Sequence, residues 1–215
     1  MKVEKKEFAS YSAIAIILIL HVVGLFGLKS VYVASFEALT PLNLLVAFLL
    51  IYAFHEGSRL KQFYFFLLAF STGMIAEIIG VQTGFLFGDY HYTKLLSSSI
   101  LGVPLLIGVN WFILSYGLVA LFNSVLVKGN LIVKSLIAAV AMTLLDVLIE
   151  PFAIQHGLWV WLNNQVPFEN YLSWFIISFF LFIFGFKILP EEKNKVAIAV
   201  IYIFLGFFGL NILLI

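Results

Sequence analysis

The chain has 215 residues, of which 63% are hydrophobic and 11% charged, with a formal net charge of +1 and no cysteine. A soluble domain carries about a quarter charged residues, so this chain lacks the groups needed to face water, and its near-neutral balance carries no nucleic-acid signature. The missing cysteines exclude disulfides, zinc–thiolate sites, iron–sulfur clusters and thiol nucleophiles. Twenty-four Phe, nine Tyr and four Trp suit a lipid environment.

A helix crosses the hydrocarbon core in about 20 residues, at ~1.5 Å per residue. Apolar runs of that order fall at 8–28, 63–83, 103–126, 131–152, 171–189 and 196–215. A shorter run, 41–54, opens with Pro41 at a first helical turn and closes at His55, Glu56 and Gly57. The pattern predicts an all-α polytopic membrane bundle of about seven transmembrane helices, with residues 1–215 forming one transmembrane domain.

The basic residues give the orientation. With a cytoplasmic N-terminus, the inner segments hold Lys2, Lys5, Lys6, Arg59, Lys61, Lys128, Lys134, Lys187, Lys193 and Lys195, and only Lys29 and Lys94 lie outside. That asymmetry orients membrane proteins and places the C-terminus outside. The first run is too long for a signal-peptide core and no small-residue cleavage site follows it, so it is expected to stay as an anchor in the cell membrane.

Two stretches resemble each other. Glu77-Ile-Ile-Gly-Val-Gln82-Thr-Gly84 matches Glu150-Pro-Phe-Ala-Ile-Gln155-His-Gly157, and Val103-Pro104 precedes Trp111-Phe112 at the spacing by which Val166-Pro167 precedes Trp174-Phe175. These matches define a helix-loop-helix repeat over 63–126 and 131–189. Copies running the same way imply a pseudo-two-fold axis along the membrane normal, with Glu77 and Glu150 at equivalent depths on facing helices. Coincidence within a biased composition is the competing explanation.

Depth sharpens the argument. Glu77 lies six residues before the outer end of its run, roughly 9 Å below it at the helical rise. Asp146 and Glu150, spaced i, i+4, share a helix face and put Asp146 at a similar depth. An ionisable group inside a bilayer costs at least ~2.5 kcal/mol, and no lysine or arginine is near these three in sequence. They are expected either to hydrogen-bond across helices as structural glue or to form a pocket of acids kept partly protonated by desolvation.

Other polar positions are weighed in the same way. His21, Asn43, Asn110 and Asn211 occur singly in apolar runs and suit interhelical hydrogen bonds, with Asn110 also a candidate for the pocket. His55, Glu56, Arg59 and Lys61 read as a solvated cap, and Pro190-Glu191-Glu192, which looks like the acidic motif of membrane lycopene cyclases, as a solvated turn. Asp89, His91 and His156 fall in outer loops without the spacing of a metal site, so no metal is expected. Gly80, Gly84 and Gly88 recur every fourth residue, for tight helix packing or close approach to a ligand. Tyr90, Tyr92, Trp159 and Trp161 fit an interfacial belt or a pocket lining, and the matching alternation of Phe85 and Phe87 with Trp159 and Trp161 favours the lining. No dinucleotide fingerprint, P-loop or nucleophile elbow occurs, so nicotinamide, flavin and ATP chemistry have no support.

The segment Glu77-Ile-Ile-Gly-Val-Gln-Thr-Gly-Phe-Leu-Phe-Gly-Asp-Tyr-His-Tyr, followed by Leu101-Gly-Val-Pro104 and Asn110-Trp111, resembles the integral-membrane carotenoid biosynthesis proteins. That family includes carotenoid 1,2-hydratases and the bisanhydrobacterioruberin hydratases of halophilic archaea. Asp146-Val-Leu-Ile-Glu-Pro, Gly157-Leu-Trp-Val-Trp and Val166-Pro167 through Trp174 are similar to its later motif. The resemblance runs from Ser71 to Trp174, about half the chain. It implies a cofactor-independent carotenoid 1,2-hydratase that adds water to the terminal double bond of an acyclic, membrane-dissolved carotenoid.

The chemistry fits the residues. Protonating a trisubstituted alkene gives a tertiary carbocation, which needs a carboxylic acid still protonated near neutral pH, aromatic faces or negative charge for the cation, and a carboxylate to take a proton from water. The expected acid/base pair is Glu77 and Glu150, supported by Asp146. Tyr90, Tyr92, Trp111, Trp159, Trp161 and Trp174 would line the pocket, with Gln82, Gln155, Asp89, His91 and Asn110 as further substrate contacts. Water would enter through outer loops carrying Asp89, Tyr90, Asn163 and Asn164, while the carotenoid slides in between helices. Competing functions are a carotenoid end-group cyclase, which shares the protonation step, a small proton-coupled transporter, and a non-catalytic carotenoid-binding protein.

Overall fold

A computed structural model describes residues 2–96, 98–126, 129–163 and 165–214, and for residues 2–5 the backbone alone. The expectations attached to Lys128 and Asn164, and to the side chains of Lys2 and Lys5, lie outside the described residues. Among the described residues, seven helices are long and apolar enough to cross a membrane, and the chain is a polytopic helical bundle.

Helix α1 (Lys2–Gly27) leads through a short α2 (Val33–Glu37) into α3 (Thr40–Ala53), whose Pro41 sits in the first turn. Helix α4 (Arg59–Thr83) starts at Ser58, whose hydroxyl accepts the Lys61 amide hydrogen, and stops at Gly84 with φ 67°, a left-handed conformation that glycine adopts without a Cβ clash. Helix α5 (Leu105–Val125) and α7 (Phe168–Ile188) both follow a proline, Pro104 and Pro167, while α6 (Leu131–Gln155) and α8 (Lys195–Leu213) are capped by the side chains of Asn130 and Asn194. Asparagine at these positions pairs backbone N–H groups that a membrane would leave unsatisfied.

Helix α5 is the axis. It packs against α3, α4, α6, α7 and α8, and its Trp111, Phe112, Ile113, Leu114 and Tyr116 are fully enclosed. Helix α4 comes close to it at Gly73, where a Cβ would lie 2.4 Å from the Trp111 ring. Helix α1 lies outermost against α8 and α3.

Two short strand pairs, unannounced by hydropathy, close one end of the bundle. Strand β1 (Tyr90–Tyr92) pairs antiparallel with β4 (Trp159–Trp161), with Tyr90 opposite Trp161 and Tyr92 opposite Trp159. Strand β2 (Ser99–Ile100) pairs with β3 (Val103–Pro104), so Val103 and Pro104 precede α5 as a strand rather than opening the helix. Gly84 and Gly88 (φ 94°) lie in the turn beyond α4, so of the three spaced glycines only Gly80 is helical, and a Cβ there would meet Phe87 at 2.5 Å.

The opposite end corrects the expectation of a solvated cap. The side chains of His55 and Glu192 are 1% and 3% exposed, and His55 Nδ1 lies 2.5 Å from Glu192 Oε2 and 2.8 Å from the Tyr116 hydroxyl. Tyr116 is enclosed within α5 and needs a polar partner, so both loops fold inward to supply one. Asn194 extends the network, its side-chain amide donating to the Ile51 carbonyl at 2.9 Å. Arg59 donates to the Tyr52 and Ala53 carbonyls and closes the end of α3. Glu56, Arg59, Lys61 and Glu191 remain exposed, as expected.

A candidate acid site beneath the paired strands

Between α4, α5, α6 and α7, under the β1–β4 ribbon, lies a cavity of about 30 Å³. That is room for one or two water molecules. Glu77, Asp146 and Glu150 line it and are 4%, 2% and 3% exposed. Neither lysine, arginine nor histidine lines it among the described residues. The rest of the wall is Tyr90, Tyr92, Trp111, Trp159, Trp161, Trp174, Asn110, Asn170, Ile107 and Ile149.

The local structure explains the convergence. Residues alternate across a strand, so Tyr90 and Tyr92 turn inward together while His91 between them is exposed. In β4, Trp159 and Trp161 turn inward in the same way. Tyr90 packs on Trp161 with ring centroids 4.9 Å apart, and Tyr92 meets Trp159 edge-on at 5.8 Å. Beneath them Trp111 and Trp174, at matching places in α5 and α7, stack at 4.3 Å and 16°.

Each acid is solvated by its own set of donors. Glu77 Oε2 accepts from the Tyr90 hydroxyl at 2.5 Å and the Tyr92 hydroxyl at 2.7 Å, and Oε1 accepts from Trp111 Nε1 at 3.3 Å. Glu150 Oε2 accepts from Trp159 Nε1 at 3.0 Å and Trp161 Nε1 at 2.9 Å. Asp146 Oδ2 accepts from Asn170 Nδ2 at 2.7 Å. Glu150 Oε1 and Asp146 Oδ1 have no donor among the described residues. Burial, and then the facing Glu77 carboxylate, hold the Tyr90 and Tyr92 phenols well above the ordinary range, so both keep their protons and act as donors.

Four expected contacts lie outside the cavity. Gln82 is exposed and its amide donates to the Leu101 carbonyl at 3.0 Å. Gln155, the last residue of α6, is exposed. Asp89 folds over Gly84 at the end of α4, and His91 sits on the outward face of β1. Sequence reasoning missed Asn170, although an asparagine in the first turn of an apolar helix is itself a signal of a buried polar partner.

Comparisons with known proteins give the chain's family. A family model described as carotenoid biosynthesis protein matches residues 38–214. The chain is 31% identical over 121 residues to the bisanhydrobacterioruberin hydratase of Haloarcula japonica, a match covering 51% of this chain and 41% of the relative. The chain thus spans less than half the length of that curated relative. No solved structure matches.

Proposed function

The chain belongs to the carotenoid biosynthesis protein family, and on that premise we infer that it is a carotenoid hydratase, adding water across the terminal 1,2 double bond of an acyclic carotenoid end group. One observation carries this reading: three carboxyl groups converge on a water-sized, aromatic-walled cavity in which they face donors and no base.

The hydrogen bonding favours a different division of labour from the one the sequence suggests. Glu77, with three donors on its two oxygens, is equipped to hold negative charge. Asp146 and Glu150, one helical turn apart and each with an oxygen left open, are equipped to exchange a proton. The pair delivers that proton to the less substituted alkene carbon, whose π electrons form the new C–H bond and leave a tertiary cation. The Glu77 carboxylate and the faces of Trp111, Trp174 and Tyr90 stabilise the cation, a desolvated cation–π contact being worth about 2 kcal/mol. A cavity water attacks the cation, and its surplus proton returns to the Asp146–Glu150 pair. The balance is one water added, with the enzyme regenerated.

The cavity has room for water and not for an isoprenoid end, so substrate entry requires Tyr92 and Trp159, the half-buried aromatic members of the wall, to move aside. On the same reading the N-terminus is cytoplasmic, the strand ribbon faces outward, the two segments 63–126 and 131–189 are repeat copies, and the carotenoid arrives through the bilayer of the cell membrane. Expression in a bacterium that makes an acyclic carotenoid tests the function. The wild type should yield pigment heavier by one water, and Asp146→Asn or Glu150→Gln should yield unchanged precursor. Product of unchanged mass but altered spectrum would mean an end-group cyclase, and unchanged pigment from the wild type would refute both.

A further inference from the structure

A second cavity, on the far side of α6 from the acids, has no part in that chemistry. It encloses about 190 Å³ between α1, α2, α3, α6 and α8, and Phe36, Phe152, Phe204 and Phe207 are among its walls. Its roof is α2: Phe36 lies where a Cβ on Gly27 would stand, at 2.3 Å, and the neighbouring Glu37 meets His156 Nδ1 at 2.9 Å. Three polar side chains break the apolar lining: Thr40 opens α3, and His21 of α1 and Asn43 of α3 meet each other across it.

Their bonding is incomplete. His21 Nδ1 lies 2.8 Å from the Ile17 carbonyl, which can only accept, so in the neutral ring Nδ1 carries the hydrogen and Nε2 presents a lone pair. Asn43 Nδ2 stands 3.5 Å from that Nε2, too long for a strong bond. Asn43 Oδ1 is buried with no partner among the described residues. A hydroxyl at the rim of this pocket of phenyl rings matches the pair: its one hydrogen has Asn43 Oδ1 or His21 Nε2 as acceptor, and its oxygen can accept from Asn43 Nδ2.

We propose that this cavity binds an apolar isoprenoid segment through a single hydroxyl, held between His21 and Asn43. The selectivity for a hydroxyl follows from the pocket itself. The isoprenoid identity rests on the proposed hydratase function, whose product is a tertiary alcohol of this kind, and the pocket would hold that product's end after it leaves the acids.

Purified full-length protein is photolabelled with a diazirine-bearing isoprenoid tertiary alcohol and with its deoxy counterpart, and the adducts are mapped by peptide mass spectrometry. The alcohol should label the Phe204–Phe207 peptide about tenfold more than the deoxy probe, as expected for one desolvated hydroxyl satisfied on both sides. Asn43→Leu and His21→Phe should each bring labelling by the alcohol down to the deoxy level and leave deoxy labelling unchanged, which shows that the pocket is still folded. Glu150→Gln should label like the wild type, separating this site from the acids. Equal labelling by the two probes, or labelling by the alcohol that survives both pocket variants or disappears in Glu150→Gln, would overturn the site. Competition by an unlabelled hydroxylated carotenoid and not by a straight-chain fatty alcohol is expected, and equal competition by the fatty alcohol would overturn the isoprenoid assignment.

Discussion

At the end of the bundle that carries the N-terminus, the Glu192 carboxylate meets an imidazole at 2.5 Å, with the Tyr116 hydroxyl closing the cluster. At the other end Glu77, Asp146 and Glu150 meet, among the described residues, phenol, indole and amide donors around a cavity. Both ends bury acids, at similar exposure. The difference lies in what faces them. A carboxylate tied to a partner that can carry positive charge is fixed and pins loops onto α5. Carboxyl groups tied only to neutral donors, with oxygens left open on a cavity, remain free to trade protons.

The largest effect expected from breaking this contrast is at the open end. Glu150→Gln should lower the rate of hydration by about 10²–10⁴-fold, the usual worth of a positioned proton donor, while the thermal midpoint in detergent stays close to that of the wild type. His55→Ala should do the reverse. It leaves Glu192 buried without its partner, costing about 3–5 kcal/mol of stability in a denaturant titration, with activity retained in the fraction that stays folded. Gly73→Ala is intermediate in effect. Its Cβ would lie 2.4 Å from the Trp111 ring and must push the indole off both Glu77 and Trp174, so activity should fall by more than about tenfold with a shift in tryptophan emission. Tyr90→Phe is the mildest test. It removes one of three donors to Glu77, worth about 1 kcal/mol, and should slow the reaction about tenfold or less, as pigment yield over time would show.

The same contrast marks what the sequence made legible. The helices were readable because the bilayer dictates their length and polarity, and the three acids because they are the charged residues in the outer halves of those runs. Alternation pointed to Trp159 and Trp161 correctly but matched them with Phe85 and Phe87; Phe85 is exposed, neither lines the cavity, and Tyr90 and Tyr92 stand opposite the tryptophans instead. What escaped was long-range pairing. The contact between β1 and β4, the amide of Asn170 on Asp146, and the descent of His55 and Glu192 onto Tyr116 each join residues at least 24 positions apart, and hydropathy carries no trace of a partner. Gln82 and Gln155 misled for the converse reason. They match between the two segments, yet both sit at helix ends facing away from the cavity, where likeness of sequence reflects how a helix stops and not what it binds.

Transfer of a proton to carbon is the step on which the account depends, and hydration carried out in heavy water reads it directly. The wild type should place one non-exchangeable deuterium on the carbon next to the new tertiary alcohol, and Glu150→Gln should give neither deuterium nor alcohol. An alcohol product without carbon-bound deuterium, or a Glu150→Gln variant that labels its product like the wild type, would contradict it.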